Sequence, residues 1–457
     1  MNYLLRTRKV FAFVGVFILS GHVLMAQSGS ISKNGFTINT VTTAVPFLRI
    51  NPDARAGGMG DAGLASPADA NAVYSNPAKM AFIDKDFGFA VGFSPWLKAL
   101  VNDIYLANLT GYYKVKKMQT VAISLRYFSL GNITFTDYNG QELQTFRPQE
   151  FAIDGHYARR LGDNFSVAAS LRVIYSNLAG GASVDGALVK PGVAGSGDIS
   201  AYFHKKFNEN VAHKMEHEVS VGLNISNIGS KISYTSSTTK DFIPTNLGLG
   251  VGYTLEIVNK HSVGVYVDMN KLMVPTPNTD SATADMNSNG IYDFREKSSI
   301  GGMFTSFGDA PGIIGSDGKR KAGSRTAEEF NEVTWGIGAE YLYNKQFGVR
   351  FGYFYEHPTK GNRQFLTAGL TVKYSVVGLN FSYLIPTTIQ RNPLDNTLRF
   401  SLLFDFTKGG KKSSSETGVS LVNDEPKKKK EKKEKAAEPV KEEEPKPVEK
   451  QMQLDPK

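Results

Sequence analysis

The sequence predicts an all-β protein: a 14-stranded antiparallel transmembrane β-barrel with an N-terminal plug and a disordered C-terminal tail. Three observations predict it. From Asp86 to Phe406 apolar side chains recur at every second residue, the period of a strand whose two faces meet different surroundings. The connections between these runs alternate short and long, as they do in bacterial outer-membrane barrels. The chain also opens on an export signal, yet holds no run of about 20 apolar residues to cross a bilayer as a helix.

Residues 1–26 read as a secretory signal peptide. Arg6, Arg8 and Lys9 precede an apolar stretch from Val10 to Leu19, and Ala26-Gln27 offers a cleavage point, with Leu24 where a small residue is preferred. The chain has no cysteine, which excludes both a disulfide framework and a lipid-bearing N-terminal cysteine.

Residues 27–85 read as an N-terminal segment and plug. The walls of a fourteen-stranded barrel stand too far apart for their own side chains to fill the lumen. The stretch before the first strand is rich in small residues (Ala54, Ala56, Gly57, Gly58, Gly60, Ala62, Gly63, Ala65) that let backbone lie close against an inner wall. Asp69 to Tyr74 is expected to make one or two helical turns ended by Asn76-Pro77, because the residue before proline avoids the helical region. Asn76, Pro77 and Ala78 then mark the end of the plug, just ahead of the first strand.

Residues 86–406 read as the barrel. Fourteen segments are expected, at 86–93, 103–115, 118–130, 148–161, 164–177, 195–207, 216–228, 246–257, 261–271, 333–343, 346–357, 365–374, 377–386 and 397–406. Phe347, Val349, Phe351, Tyr353 and Tyr355 show the alternation, as do Leu398, Phe400, Leu402, Phe404 and Phe406. Long connections fall at 131–147, 178–194, 229–245 and 272–332. With the first strand running outward, all of these face the cell exterior and both termini lie in the periplasm. Tyr112, Tyr113, Tyr127, Tyr175, Tyr253, Tyr341, Tyr343, Tyr353, Tyr355, Tyr374 and Tyr383 fall near strand ends, where amphipathic rings suit a lipid–water boundary. A soluble all-β protein is the alternative, but it has no reason to sort its loops by length.

Residues 407–457 are Lys-, Glu- and Pro-rich with almost no large apolar side chains. Such a chain cannot bury enough surface to offset its entropy and is expected to be disordered, either as a solvated tail or as a tether for peptidoglycan or an acidic partner. It carries part of the +9 formal charge, so the basic balance gives no support for nucleic-acid binding.

The longest connection holds the sharpest motifs. In DMNSNGIYDFRE, Asp285, Asn287, Asn289, Asp293 and Glu296 carry oxygen donors at the spacing of a twelve-residue calcium loop, and Gly290 suits its sharp turn. The expected cofactor is Ca2+ at 285–296 and otherwise none; the alternative is a polar surface loop. In GGMFTSFGDAPG, Met303, Phe304, Phe307, Asp309 and Pro311 form a candidate partner-binding patch, with Ile313 beside it, unless the apolar residues fold inward and cap the barrel. Lys319, Arg320, Lys321 and Arg325 are expected to meet anionic lipopolysaccharide or an acidic partner, unless they form a solvated loop tip.

No catalytic site is visible. HKMEH (213–217) spells a zinc-peptidase pattern, but it falls on a short turn entering a strand, and a helix is needed to bring both histidines to one metal. Inward-pointing Arg126, Arg172, Arg350 and Arg399 are expected to satisfy carboxylates of the lumen. There is no phosphate loop, and the protein is expected not to be an enzyme.

The stretch GDAGLASPADANAVYSNPAKMAF resembles the N-terminal hatch of the FadL family of outer-membrane barrels, whose Asn-Pro-Ala matches Asn76, Pro77 and Ala78. The longer stretch 44–82, AVPFLRINPDARAGGMGDAGLASPADANAVYSNPAKMAF, resembles the PorV family of the type IX secretion system more closely. Residues 301–312 resemble the equivalent long loop of that family. The Lys/Glu/Pro tail departs from its pattern. The resemblance implies an outer-membrane component that binds the C-terminal signal domain of secreted cargo at the translocon. It then passes that cargo to a sortase-like surface attachment complex, where the cargo is joined to lipopolysaccharide. The alternative is a FadL-like transporter of fatty acids or other hydrophobic small molecules.

Overall fold

The computed structural model describes residues 38–408, apart from 97–102, 137–138, 182, 185–186, 211–214, 236–239, 259, 278–285, 290, 314–318 and 389–396. The expected signal peptide (1–26) and nearly all of the tail expected to be disordered (407–457) lie outside the described residues.

Fourteen strands close into one antiparallel barrel. In chain order they are β1 (Phe87–Pro95), β2 (Ile104–Lys116), β3 (Gln119–Leu130), β4 (Gln149–Arg160), β5 (Phe165–Asn177), β6 (Gly192–Asn210) and β7 (Met215–Gly229). There follow β8 (Asn246–Ile257), β9 (His261–Leu272), β10 (Val333–Tyr343), β11 (Phe347–Tyr355), β12 (Gln364–Tyr374), β13 (Val377–Pro386) and β14 (Leu398–Phe406). Each expected segment has its strand. The largest boundary difference is β6, expected from 195 to 207. Its early residues GVAGSG lack the bulky alternation that marks a strand in sequence. Two small hairpins, Ile133–Thr136 with Glu142–Phe146 and Ser183–Val184 with Ala187–Leu188, were not expected in the connections after β3 and β5. They lie apart from the barrel sheet, so no two-faced pattern announces them.

The barrel closes where β1 meets β14, from Phe87 opposite Phe406 to Phe93 opposite Phe400. The seam is aromatic on its outer face: Phe87 stacks on Phe406 at 5.1 Å between ring centroids, and Phe89 on Phe404 at 4.6 Å. Outward apolar residues alternate with inward small or polar ones, as in Phe347, Val349 and Phe351 against Gly348 and Arg350, and with an inward apolar set of Leu106, Phe128, Ile174, Phe354, Phe365 and Leu384 that packs on Phe47 and Leu48. Outward rings gather at both rims. Tyr105, Tyr127, Tyr175, Trp335 and Tyr355 lie towards the rim of long connections, and Tyr113, Tyr253, Tyr341 and Tyr374 towards the rim of short turns. Tyr112 departs from this expectation. It faces the lumen, where its hydroxyl donates to Asp405 Oδ1 at 2.7 Å. It neighbours Tyr113, and alternation allows only one of two adjacent residues to face lipid.

The lumen wall is polar. Asp154 accepts from Ser124 Oγ at 2.8 Å and pairs with Arg172, which also donates to Asp198 at 2.9 Å. Arg350 pairs with Glu340 at 2.6 Å, and Arg399 with Asp61 of the N-terminal segment. Arg126 breaks the expected pattern. Its Nη1 donates to the Leu48 carbonyl and its guanidinium lies 5.0 Å from the centre of the Tyr74 ring, so a backbone oxygen and a ring take the place of a carboxylate.

Candidate functional site

Two features give the barrel its functional character: a lumen filled by the N-terminal segment, and a long connection folded over one rim.

Residues 46–82 fold inside the barrel as short turns. A helical turn, α1 (Ala54–Gly57), is capped by Asp53, whose carboxylate accepts from the backbone N–H groups of Arg55 and Ala56. A 3-10 turn follows at Ala70–Tyr74, capped by Asp69, and a second at Pro77–Phe82, capped by Asn76. The Asn76-Pro77 pair therefore ends one turn and begins another, where the sequence suggested an end alone. Proline fits the first position of a turn because its missing N–H would be unpaired there anyway. Asn76 is fully buried, and its Nδ2 donates to the carbonyls of Leu64 and Ala201 at 3.1 and 3.0 Å. Ala78 N donates to Ser200 Oγ, and the Ala78 carbonyl accepts from Ser166 Oγ at 2.7 Å.

These turns bond to the wall on all sides. Ala54 N donates to Ser401 on β14, Gly60 N to Thr367 on β12, and both Gly63 N and Leu64 N to Asp268 on β9, at 2.6 and 2.8 Å. The strongest tie is ionic. Arg55 donates from Nη2 and Nε to the two oxygens of Glu340 on β10, at 2.7 and 3.0 Å, and from Nη1 to Asp69 at 3.2 Å. Lys79 is also buried, donating to the Gly63 carbonyl and to Ser66 and Ser75; burial, partly offset by Asp69, pulls its ammonium down to about 8.

The wall receives the plug through missing side chains. A Cβ on Gly352 would stand 2.1 Å from the Met59 carbonyl carbon and 2.2 Å from Gly60 N. One on Gly222 would stand 2.1 Å from the Leu64 carbonyl oxygen. Two larger cavities remain in the lumen among the described residues: one of about 180 Å3 where Leu48, Trp96 and Phe354 meet Arg126, Asp268 and Arg399, and one of about 280 Å3 lined by Arg55, Asp69, Tyr202, Glu340 and Arg350.

Among its described residues the connection between β9 and β10 carries three helices: α2 (Asp293–Glu296), α3 (Ser299–Thr305) and α4 (Ser324–Asn331). It is held to the barrel by a buried charge cluster. Lys271 on β9 donates to Glu329 and Glu332 at 2.9 and 2.6 Å, and Lys360 donates to Glu328 and Glu332 at 2.7 and 3.0 Å. Glu332 also accepts from Thr276 Oγ1. Pairing offsets the cost of taking these charges out of water. Sequence reasoning missed the cluster, since nothing local to Lys271 or Lys360 names a partner tens of residues away.

The candidate partner-binding residues divide. Phe304 and Phe307 are 72% and 48% exposed. Pro311 is half-buried. Met303 departs from the expectation: it is buried, because α3 turns Gly302 and Met303 inward, where Gly302 meets Phe242 and Pro275. Asp309 is also used internally, accepting from Thr276 N and pairing with Lys297 at 3.0 Å.

In the calcium-like stretch Asp285 and Gly290 lie outside the described residues. Asn287 and Asn289 donate from Nδ2 to the two oxygens of Glu296, at 2.9 and 2.5 Å, and Met286 N donates to Asp293 Oδ1. The donor set suits a hard cation, and its carboxylates here accept from amides of the same loop. Of the zinc-like histidines, His213 lies outside the described residues, and His217 Nδ1 bonds the Tyr253 hydroxyl at 2.6 Å. Among the described residues no cluster of three or more His, Cys, Asp and Glu side chains forms a metal centre.

A closed fourteen-strand wall, apolar outside and polar within, and threaded by its own N-terminal segment, is an outer-membrane β-barrel of the plugged class. The chain belongs to the PorV family: the model of type IX secretion system protein PorV matches residues 33–279. No curated protein matches it. Among solved structures it is similar to the toluene transporter TbuX of Ralstonia pickettii, with 12% identity over 78% of this chain and 98% of that one and a TM-score of 0.43. It is similar also to the toluene transporter TodX of Pseudomonas putida (10%, 80% and 98%, 0.41) and to a Pseudomonas aeruginosa FadL homologue (11%, 80% and 99%, 0.36). The protein is thus an outer-membrane component of type IX secretion.

Proposed function

We propose that this barrel is a membrane-anchored docking platform. It binds the C-terminal signal domain of secreted cargo on its longest connection and carries the cargo from the translocon to a sortase-like attachment complex at the surface. The observation that carries this reading is the pairing of a filled lumen with a pinned loop that exposes Phe304 and Phe307. Exposed apolar groups on a fixed support suit a contact surface. The transport alternative needs a continuous apolar passage, and the lumen cavities interrupt their apolar lining with Arg126, Asp268, Arg363 and Arg399 in one and Arg55, Asp69 and Glu340 in the other. In this reading the long connections face the cell exterior and both ends of the barrel chain face the periplasm.

The protein has no native cysteine, so Phe304→Cys labelled on intact cells by a membrane-impermeant maleimide tests the orientation. Labelling is expected there and not at Lys117→Cys on a short turn; the reverse pattern overturns it. Phe304→Ala with Phe307→Ala is expected to cut co-purification of cargo at least about tenfold, as loss of a hot-spot pair does, with barrel insertion unchanged. Undiminished cargo capture overturns the docking assignment.

We further propose that Ca2+ at about millimolar levels orders the 285–296 stretch. The detergent-solubilised barrel should then resist cleavage in this loop when Ca2+ is present, lose that resistance on chelation, and lose its dependence on Ca2+ in Glu296→Gln. Cleavage indifferent to Ca2+ overturns the assignment.

A further inference from the structure

The long connection does more than cover the rim: it leans over the outer, lipid-facing side of the wall. Lys271 sits at an outward position of β9, as does Met269 two residues before it, yet Lys271 is buried because α4 lies against it through Glu329 and Glu332. Between this overhang and the wall runs a groove of about 580 Å3, within the range of small-molecule sites, about 300–1,000 Å3. Its floor includes Leu249 and Met269, and its roof Phe307 and Phe330, with Phe330 71% exposed. Arg325 stands on its edge, exposed, and forms no ion pair with a described carboxylate.

The height of the groove follows from strand register. Leu249 lies opposite Met269, Met269 opposite Trp335, and Trp335 opposite Tyr355. Trp335 and Tyr355 belong to the aromatic ring at the long-connection rim, which marks the lipid–water boundary. The floor is thus continuous with the lipid-facing wall, and the basic edge stands at headgroup level.

We propose that this groove seats an acyl chain of an anionic lipid from the leaflet at the long-connection rim, with the headgroup held at Arg325. A polar ligand would leave the apolar floor and roof unmatched. A hydrocarbon chain reaches the groove from the bilayer without crossing water, and the cationic edge complements a phosphate. This assignment does not rest on cargo docking and holds whichever way the barrel faces.

The test uses the full-length barrel in phosphatidylcholine nanodiscs doped with phosphatidylglycerol bearing a diazirine on one acyl chain, with no cargo present. Cross-links are expected on Phe307 and Phe330 in excess of those on Leu171, a bare wall residue 78% exposed. Met269→Trp, which fills the groove, should remove the Phe307 and Phe330 cross-links and spare Leu171. Arg325→Glu should lower them about fivefold for phosphatidylglycerol, and not for a phosphatidylcholine probe. Heat-modifiable mobility on gels verifies folding of each variant, and should Met269→Trp misfold, the surface change Arg325→Glu carries the test. Equal labelling of the overhang and Leu171 overturns the proposal. So does labelling indifferent to both variants, or its loss through pairing of two barrels over the groove.

Discussion

Glu340→Ala is expected to unseat the plug. Glu340 is the shared acceptor of Arg55 from the plug and Arg350 from the wall, and all three side chains are at most 10% exposed. Without it, Arg55 keeps Asp69 and the Pro67 carbonyl, and Arg350, whose Nη1 already has no hydrogen-bond partner, keeps no described carboxylate. Stranding a buried charge by removing its partner costs about 3–5 kcal/mol, enough to change the seated fraction by more than a hundredfold. The expected result is rapid protease cleavage within residues 46–82 in detergent and ion conductance in planar bilayers, with the fourteen-strand wall intact by circular dichroism. Glu340→Gln, which keeps the shape and an acceptor, should fall between the two. A digestion pattern identical to that of the parent would show that the remaining ties, among them Arg399 to Asp61 and Asp268 to Gly63 and Leu64, hold the plug without Glu340.

Gly352→Val should act on the same contact from the opposite side. The added Cβ meets plug backbone at 2.1 and 2.2 Å, and backbone cannot swing away as a long side chain can. Overpacking typically costs about 1–3 kcal/mol, and a contact this short with main chain belongs at the upper end or beyond. Folded barrel recovered from membranes should fall several-fold, and what is recovered should carry a protease-sensitive plug. Gly155→Val is the control: a Cβ there has nothing within 4 Å, and a β-branched residue on an outward strand position is favourable. Equal behaviour of the two variants would mean that the wall glycines do not hold the plug.

The strands were legible because each separates two solvents, and a two-residue period records that division without reference to any partner. The closed order of the sheet was legible from the alternation of connections such as 344–345 and 272–332. The ties that seat the plug were not. Arg55 and Glu340 stand 285 positions apart, and either side chain read alone is an ordinary charge. Met303 was misread for a different reason. In SIGGMFT the helix is under two turns long, too short for a period to show that Gly302 and Met303 face in while Ile300 and Phe304 face out. Tyr112 was misplaced because a tyrosine near a strand end suits either face until its neighbour is assigned.

The seam between β1 and β14 bears on how the molecule comes to be. Its two partners lie at opposite ends of the wall sequence, and the segment enclosed by that wall precedes both. The last antiparallel pair therefore forms only once the whole wall is present, after the turns that it encloses have been made. If the N-terminal turns lie on the curved sheet before its ends meet, faulty seating becomes a defect of closure.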